Sequence, residues 1–266
     1  WVNRDEELKV MHENGPGSSP VIVGDKLIFH LDGSDRQSIA ALNKSDGTLA
    51  WMTKRSGEMN ANPQLQKAYG TPLVLGGGAG AQVISNAADW LYAYDPATGA
   101  ELWRAPYEKL GFSNVARPVF GGGMIYLATG FMKSEIIAFR YDGKAAPAPE
   151  WRYSRNCPCM TSPILAGDEL YIVDDNGGML TCLNAKTGED HYRERLGGNH
   201  SAAPTYAGGH LYFHSREGET TVIKPGPKFE VVSKNQLDGQ IFASLAASGK
   251  ALYLRTDKAL YRIEEN

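Results

Sequence analysis

The chain has 266 residues, a net charge of −3 and a sequence pI near 6.1. That balance gives no electrostatic footprint for nucleic acid or for an anionic membrane surface. No apolar stretch is long enough to cross a bilayer as a helix, and three cysteines make no disulfide framework.

In chain order, Trp1-Val2-Asn3-Arg4 running to Leu8-Lys9-Val10 has the composition of an edge strand. A unit then recurs. Each copy opens on a short landmark, Ser19-Pro20-Val21, Thr71-Pro72-Leu73, Arg117-Pro118-Val119, Ser162-Pro163-Ile164, Ala203-Pro204-Thr205 and Ser244-Leu245-Ala246. Counted from Pro20 through Pro72, Pro118, Pro163 and Pro204 to Leu245, the spacings are 52, 46, 45, 41 and 41 residues. After each landmark comes a Gly turn, such as Val23-Gly24-Asp25 or Ala166-Gly167-Asp168, and then an apolar run. Lys26–Leu31, Met124–Leu127, Glu169–Val173, His210–Phe213 and Ala251–Leu254 are such runs. Short β-branched and aromatic runs bounded by Gly, Asp and Asn are strands, and no stretch carries the helical period.

A second phrase closes the unit. It reads Ala41-Leu42-Asn43-Lys44-Ser45-Asp46-Gly47-Thr48-Leu49-Ala50-Trp51, returns as Ala93–Trp103, and again as Cys182–Tyr192 with Tyr for Trp. A further copy starts at Ala138-Phe139-Arg140-Tyr141-Asp142-Gly143 and is stretched by a Pro-rich insertion before Trp151. The Asn or Asp can bond the backbone of the following turn, and the Gly supplies positive φ. The Trp offers a broad apolar face for packing between neighbouring units, so Trp51, Trp103 and Trp151 are expected to join blades.

A repeat of 40–50 residues made of four strands is a propeller blade. The expectation is one all-β propeller domain over 1–266, with six four-stranded blades at about 18–55, 69–107, 112–155, 158–196, 200–237 and 239–266. The last copy stops at Leu260-Tyr261-Arg262-Ile263, without a fourth strand. The N-terminal strand at 1–10 is expected to supply it and close the ring, since closure removes open edges. The rival expectation is that upstream blades are absent, because the chain starts at Trp rather than Met.

The turn-plus-Trp phrase at Ala41–Trp51, Ala93–Trp103 and Cys182–Tyr192 resembles that of the PQQ-like (pyrroloquinoline quinone-like) β-propeller repeat family. Ser18–Trp51, with Phe29-His30-Leu31-Asp32-Gly33-Ser34-Asp35-Arg36-Gln37 inside it, resembles the bacterial secreted subgroup similar to outer-membrane assembly propellers. The resemblance covers nearly the whole chain. It implies a periplasmic or secreted setting. It also implies that these six units correspond to the C-terminal six of a longer propeller. The same repeat hosts quinone-dependent alcohol dehydrogenases, assembly scaffolds and sensors, so it does not fix a function.

In a propeller the loops between second and third strands, and those leading from one blade to the next, share the face around the channel. The candidate ligand or partner residues there are His200, Arg117, Lys67, Tyr69, Asp174, Asp175, Arg216 and Arg255. Asp32, Asp35, Asp89 and Lys133 sit in loops of the same type. Loop tips are charged in any case, so each residue alone carries little weight. Cys157-Pro158-Cys159 lacks the second pair of a zinc site. Asp174-Asp175-Asn176-Gly177-Gly178 has Ala185 where a calcium loop needs Glu, and strands for flanks. Neither marks a metal site.

No catalytic constellation stands out. The first functional expectation is a non-catalytic binding or scaffold propeller for a protein partner, a small polar ligand or a glycan, with no cofactor. The second is a dehydrogenase of alcohols or sugars using PQQ and calcium, for which Trp90 is the single spare tryptophan. The third is a carbohydrate-active propeller using His200, Tyr69 and Arg117.

Overall fold

The computed structural model describes residues 1–13, 15, 17–107 and 112–264. The described residues fold into six antiparallel sheets, each a meander in which sequential strands pair. The first holds β1 (Val21–Val23), β2 (Lys26–Asp32), β3 (Gln37–Asn43) and β4 (Leu49–Lys54). The second holds β5 (Leu73–Leu75), β6 (Gln82–Asn86), β7 (Trp90–Tyr94) and β8 (Glu101–Pro106). The third holds β9 (Val119–Gly121), β10 (Met124–Ala128), β11 (Ile136–Arg140) and β12 (Pro149–Tyr153). The fourth runs β13 (Ile164–Ala166), β14 (Glu169–Val173), β15 (Met179–Asn184) and β16 (Asp190–Arg195). The fifth runs β17 (Thr205–Ala207), β18 (His210–His214), β19 (Glu219–Ile223) and β20 (Val231–Gln236). The sixth has three strands, β21 (Ala246–Ser248), β22 (Ala251–Arg255) and β23 (Leu260–Glu264). These are the blades of a β-propeller, and each landmark residue, from Pro20 to Leu245, stands immediately before a first strand.

The chain divides into two compact units, Trp1–Glu150 and Trp151–Asn266, with the division inside β12. In the first unit, Ile28 and Ile39 pack with Val83, Tyr92 and Tyr94 between the first and second sheets. Ile84, Leu91 and Trp103 pack with Ile125, Leu127 and Phe139 between the second and third. In the second unit, Tyr171, Val173 and Leu180 meet Leu211, Phe213 and Ile223, and Ala202 meets Ile241, Leu245 and Leu254. Each such side chain contributes about 1.5–3 kcal/mol by leaving water, so the cohesion of each unit lies between successive blades.

The closing phrase of the repeat is built alike in each copy. Gly47, Gly99 and Gly188 all have φ +74, and each donates its N–H at 2.8 Å to the carbonyl of Asn43, Asp95 or Asn184. Asp95 and Asn184 also accept the N–H groups of the two residues after the next. A bulge at Ala41/Leu42, Ala93/Tyr94 and Cys182/Leu183 resets the register at each turn. The tryptophan sits third in the fourth strand rather than at its end. Trp51 Nε1 donates to Pro96 of the next blade and Trp151 Nε1 to Ala185, both at 3.1 Å. Trp103 instead donates to the Tyr141 hydroxyl at 2.9 Å, because the Pro-rich insertion has replaced the usual turn.

The N-terminal segment corrects one expectation. Residues 1–10 hold no strand, only a short 3-10 turn at Glu6–Leu8 capped by Asp5. Asn3 accepts the Asp5 N–H, which bends the chain. Trp1 lies on Gly47 and donates to the Lys44 carbonyl at 2.9 Å. Trp1 thus plays for the first sheet the part Trp51 plays for the second.

Candidate functional site

A four-stranded meander puts its second turn and its exit at one end of the sheet. In the first unit, that end carries the turns after β6 and β10, the connection 55–72 and the segment 112–118. They enclose an open cavity of about 670 Å³. Met59, Leu65, Trp90, Phe112 and Met132 give it apolar walls, and Glu58, Asp89 and Lys133 are the charged groups among the described residues that line it. Apolar walls with a few polar groups in several hundred Å³ are the usual make-up of a binding pocket.

The walls are positioned by backbone contacts. Trp90 donates to the Glu58 carbonyl at 2.8 Å, and the Tyr92 hydroxyl to the Ser56 carbonyl at 2.6 Å. Gly57 lies against the Trp90 ring, where a Cβ would come within 2.8 Å. The Arg104 guanidinium lies 5.4 Å from the centre of the same indole. On the other side, Phe112 and Phe131 meet edge-to-face at 6.0 Å, and their backbones bridge. Asp89 closes the tight turn between β6 and β7 at φ 65, a conformation that Asp tolerates. Burial pushes its carboxyl above the ordinary range, offset in part by the Asn60 N–H at 3.4 Å. Lys133 is paired with Glu135 at 3.3 Å. Phe131 and Met132 beside the cavity are 60% and 76% exposed.

Beneath the loops of the first sheet, Arg55 and Asp32 form a fully buried fork, with both nitrogen–oxygen distances 2.6 Å. The guanidinium lies over Tyr92, 5.0 Å from its centre. Burial raises the Asp32 carboxyl, and Arg55 opposes that shift. Lys67 is buried nearby in sequence, its ammonium on Gln64 at 2.6 Å and on Glu13 at 3.5 Å. The Tyr69 ring packs on His12 at 5.1 Å. Arg117 is exposed two residues before β9.

In the second unit, the equivalent loops gather three of the residues expected from sequence. The Asp175 carboxylate accepts the N–H groups of Cys159, Met160 and Thr161 at 2.6, 3.1 and 3.3 Å. Its carbonyl accepts the His200 N–H at 2.9 Å. His200 Nε2 bonds the Gly197 carbonyl at 3.0 Å, and burial lowers its pKa. His214, with Nδ1 on the Thr220 hydroxyl at 2.9 Å, is lowered to about 4 by burial and by the neighbouring His200. Arg216 donates to the Ser201 hydroxyl and to Met160 Sδ, and its guanidinium lies 6.0 Å from the Phe242 ring centre. Asp174 borders this cluster and binds Asn156 and Asn176. Arg255 ends β22, exposed. The three cysteines are free thiols.

His200 belongs to the second unit and Tyr69 and Arg117 to the first. The cavity itself was not chosen in the sequence, although Asp89 and Lys133 stand in the right type of loop. The overlooked signal is the set of large apolar residues in loops, Met59, Phe112, Phe131 and Met132, which a merely solvated loop would not carry.

Comparison with known proteins agrees with this architecture. The BamB of Shewanella oneidensis, an outer membrane protein assembly factor, is 24% identical over 165 residues. That match takes in 59% of this chain and 38% of that protein, so the chain spans well under half the length of its curated relative. The crystal structure of BamB from Moraxella catarrhalis superposes with a TM-score of 0.68 at 16% identity, covering 91% of this chain and 70% of that one. Quinohemoprotein alcohol dehydrogenase from Comamonas testosteroni gives a TM-score of 0.61 at 14% identity, covering 84% and 43%. At such identities, both structures speak for the propeller fold alone. The family model described as outer membrane protein assembly factor BamB matches residues 3–145 and 87–239, and on that match the chain belongs to this family of PQQ-like propellers.

Proposed function

We propose that this chain is a non-catalytic binding propeller that serves outer-membrane protein assembly, holding protein partners on the loop end of its sheets in the periplasm. The observation that supports it best is the cavity of the first unit, with its apolar walls and the exposed Phe131 and Met132 beside it. Large apolar side chains on loops cost solubility and are expected where a partner covers them. The polar loops of the second unit are bound mostly to their own backbone, which suits a rigid platform more than a proton-transfer site.

A quinone–calcium dehydrogenase needs a stacking face and a cluster of metal donors. Trp90 is engaged by Gly57 and Arg104. Among the described residues, no three His, Cys, Asp or Glu side chains stand together as metal ligands. Neither observation supports that pair of groups, and no chemistry is assigned through it.

Deleting the gene in its bacterium and restoring it from a plasmid tests the proposal. Outer-membrane β-barrel proteins are expected to fall on deletion and recover on restoration. Unchanged levels in both strains would overturn it.

A further inference from the structure

In the cavity of the first unit, no cation pairs with the Asp89 carboxylate among the described residues. Asp89 is half-buried at a fixed turn, and its carboxylate receives one backbone N–H, at 3.4 Å. Of the described cations beside the cavity, Lys133 is engaged by Glu135 at 3.3 Å and Arg104 by Glu101 at 2.9 Å. Glu58 adds a second carboxylate to the wall. A carboxylate drawn out of water without a cation is costly and is answered in proteins by pairing.

The same unit shows what answers such a group. Asp32 is fully buried, and Arg55 meets it with a two-pronged fork while lying over Tyr92. The cavity offers the same components, a carboxylate beside aromatic rings, with no cation on that carboxylate among the described residues. A guanidinium matches both a carboxylate and an aromatic face better than an ammonium does.

We propose that this cavity takes an arginine side chain presented by an extended segment of a partner protein. The guanidinium pairs with Asp89, and flanking apolar side chains rest on Met59, Leu65 and Phe112. A volume of about 670 Å³ is several times that of one side chain, so a short segment fits it better than a lone cation. Phe131 and Met132 extend the apolar surface beyond the mouth, as a chain running outward requires.

This deepens the partner-binding reading and rests on it. The test titrates the full chain by calorimetry with acetyl-Leu-Arg-Leu-amide and with the same peptide carrying citrulline, the neutral isostere of arginine. The arginine peptide is expected to bind about tenfold tighter, the ratio that a charge-assisted hydrogen bond of about 1.4 kcal/mol gives. In Asp89→Asn the preference disappears while weak apolar binding stays. Asn also tolerates the left-handed turn, so that variant keeps the fold. In Leu65→Ser both peptides bind more weakly, because the apolar contact is lost and no charge is added. Equal affinities in the parent chain, a preference that survives in Asp89→Asn, or no binding by either peptide would overturn the assignment. Arginine amide alone binding as tightly as the peptide would make the ligand a small cation and overturn it too. If gene deletion lowers outer-membrane proteins and the arginine preference is absent, only the pocket assignment fails. If deletion changes nothing, the partner-binding reading itself fails.

Discussion

The indole of Trp51 lies on Gly99 of the next blade, so closely that a Cβ there would stand 2.5 Å from the ring. Trp1 on Gly47 and Trp151 on Gly188 repeat the contact, with matching indole hydrogen bonds to Lys44, Pro96 and Ala185. The glycine is needed twice over, for its φ of +74 and for the absent side chain. Gly99→Ala is therefore expected to cost about 2–4 kcal/mol, the sum of left-handed strain and overpacking. Urea unfolding checks this. Gly77→Ala is the control, since that site is extended with open space around it, and it is expected to unfold at the parent midpoint.

The Asp32–Arg55 fork makes a different demand. Arg55→Leu leaves a fully buried carboxylate alone, which is expected to cost about 3–5 kcal/mol. Removing both charges, as Asp32→Leu with Arg55→Leu, is expected to cost less than Arg55→Leu alone. A double-mutant cycle by denaturant unfolding gives the sign directly. A double variant less stable than the single one would mean that the pair does not stand as described.

Acid acts through the buried histidines. Burial lowers His30, His200 and His214 below their ordinary value of 6.5, His214 to about 4. Between those two pH values the unfolded chain takes up a proton that the folded chain refuses. The unfolded state then binds more protons, so stability falls as pH drops from 6.5 toward 4. Each histidine contributes at most about 1.4 kcal/mol per pH unit. His214→Asn is expected to flatten the fall. A stability–pH curve with the same slope in that variant would show that His214 titrates normally in the fold.

The propeller was legible because its repeat is written in residues whose roles are local. A proline sets the start of each first strand, and a glycine with positive φ and an Asn or Asp set the last turn. Those requirements need no knowledge of distant parts of the chain. The N-terminal segment misleads because Trp1–Val10 has strand composition, while its geometry is decided by side chains, Asn3 on Asp5 and Trp1 on Gly47. The gathering of Asp175, His200 and Arg216 followed from loop type alone. The cavity did not, since Glu58, Asp89, Phe112 and Met132 come from four separate connections, and only the stacking of blades brings them together. The burial of Arg55 was likewise hidden, because an Arg one residue beyond a fourth strand reads as solvated until its partner 23 positions earlier is placed beside it.

The central claim is that partners dock at the loop end of the first unit. Photo-crosslinking in the cell tests it most directly, with a benzoylphenylalanine in place of Met132 at that end and, separately, in place of Ala97 in the turn at the other end of the second sheet. The probe at position 132 is expected to capture outer-membrane β-barrel proteins or the proteins that assemble them, identified by mass spectrometry, and the probe at position 97 is not. The same capture from both positions, or none of these proteins from Met132, would contradict it.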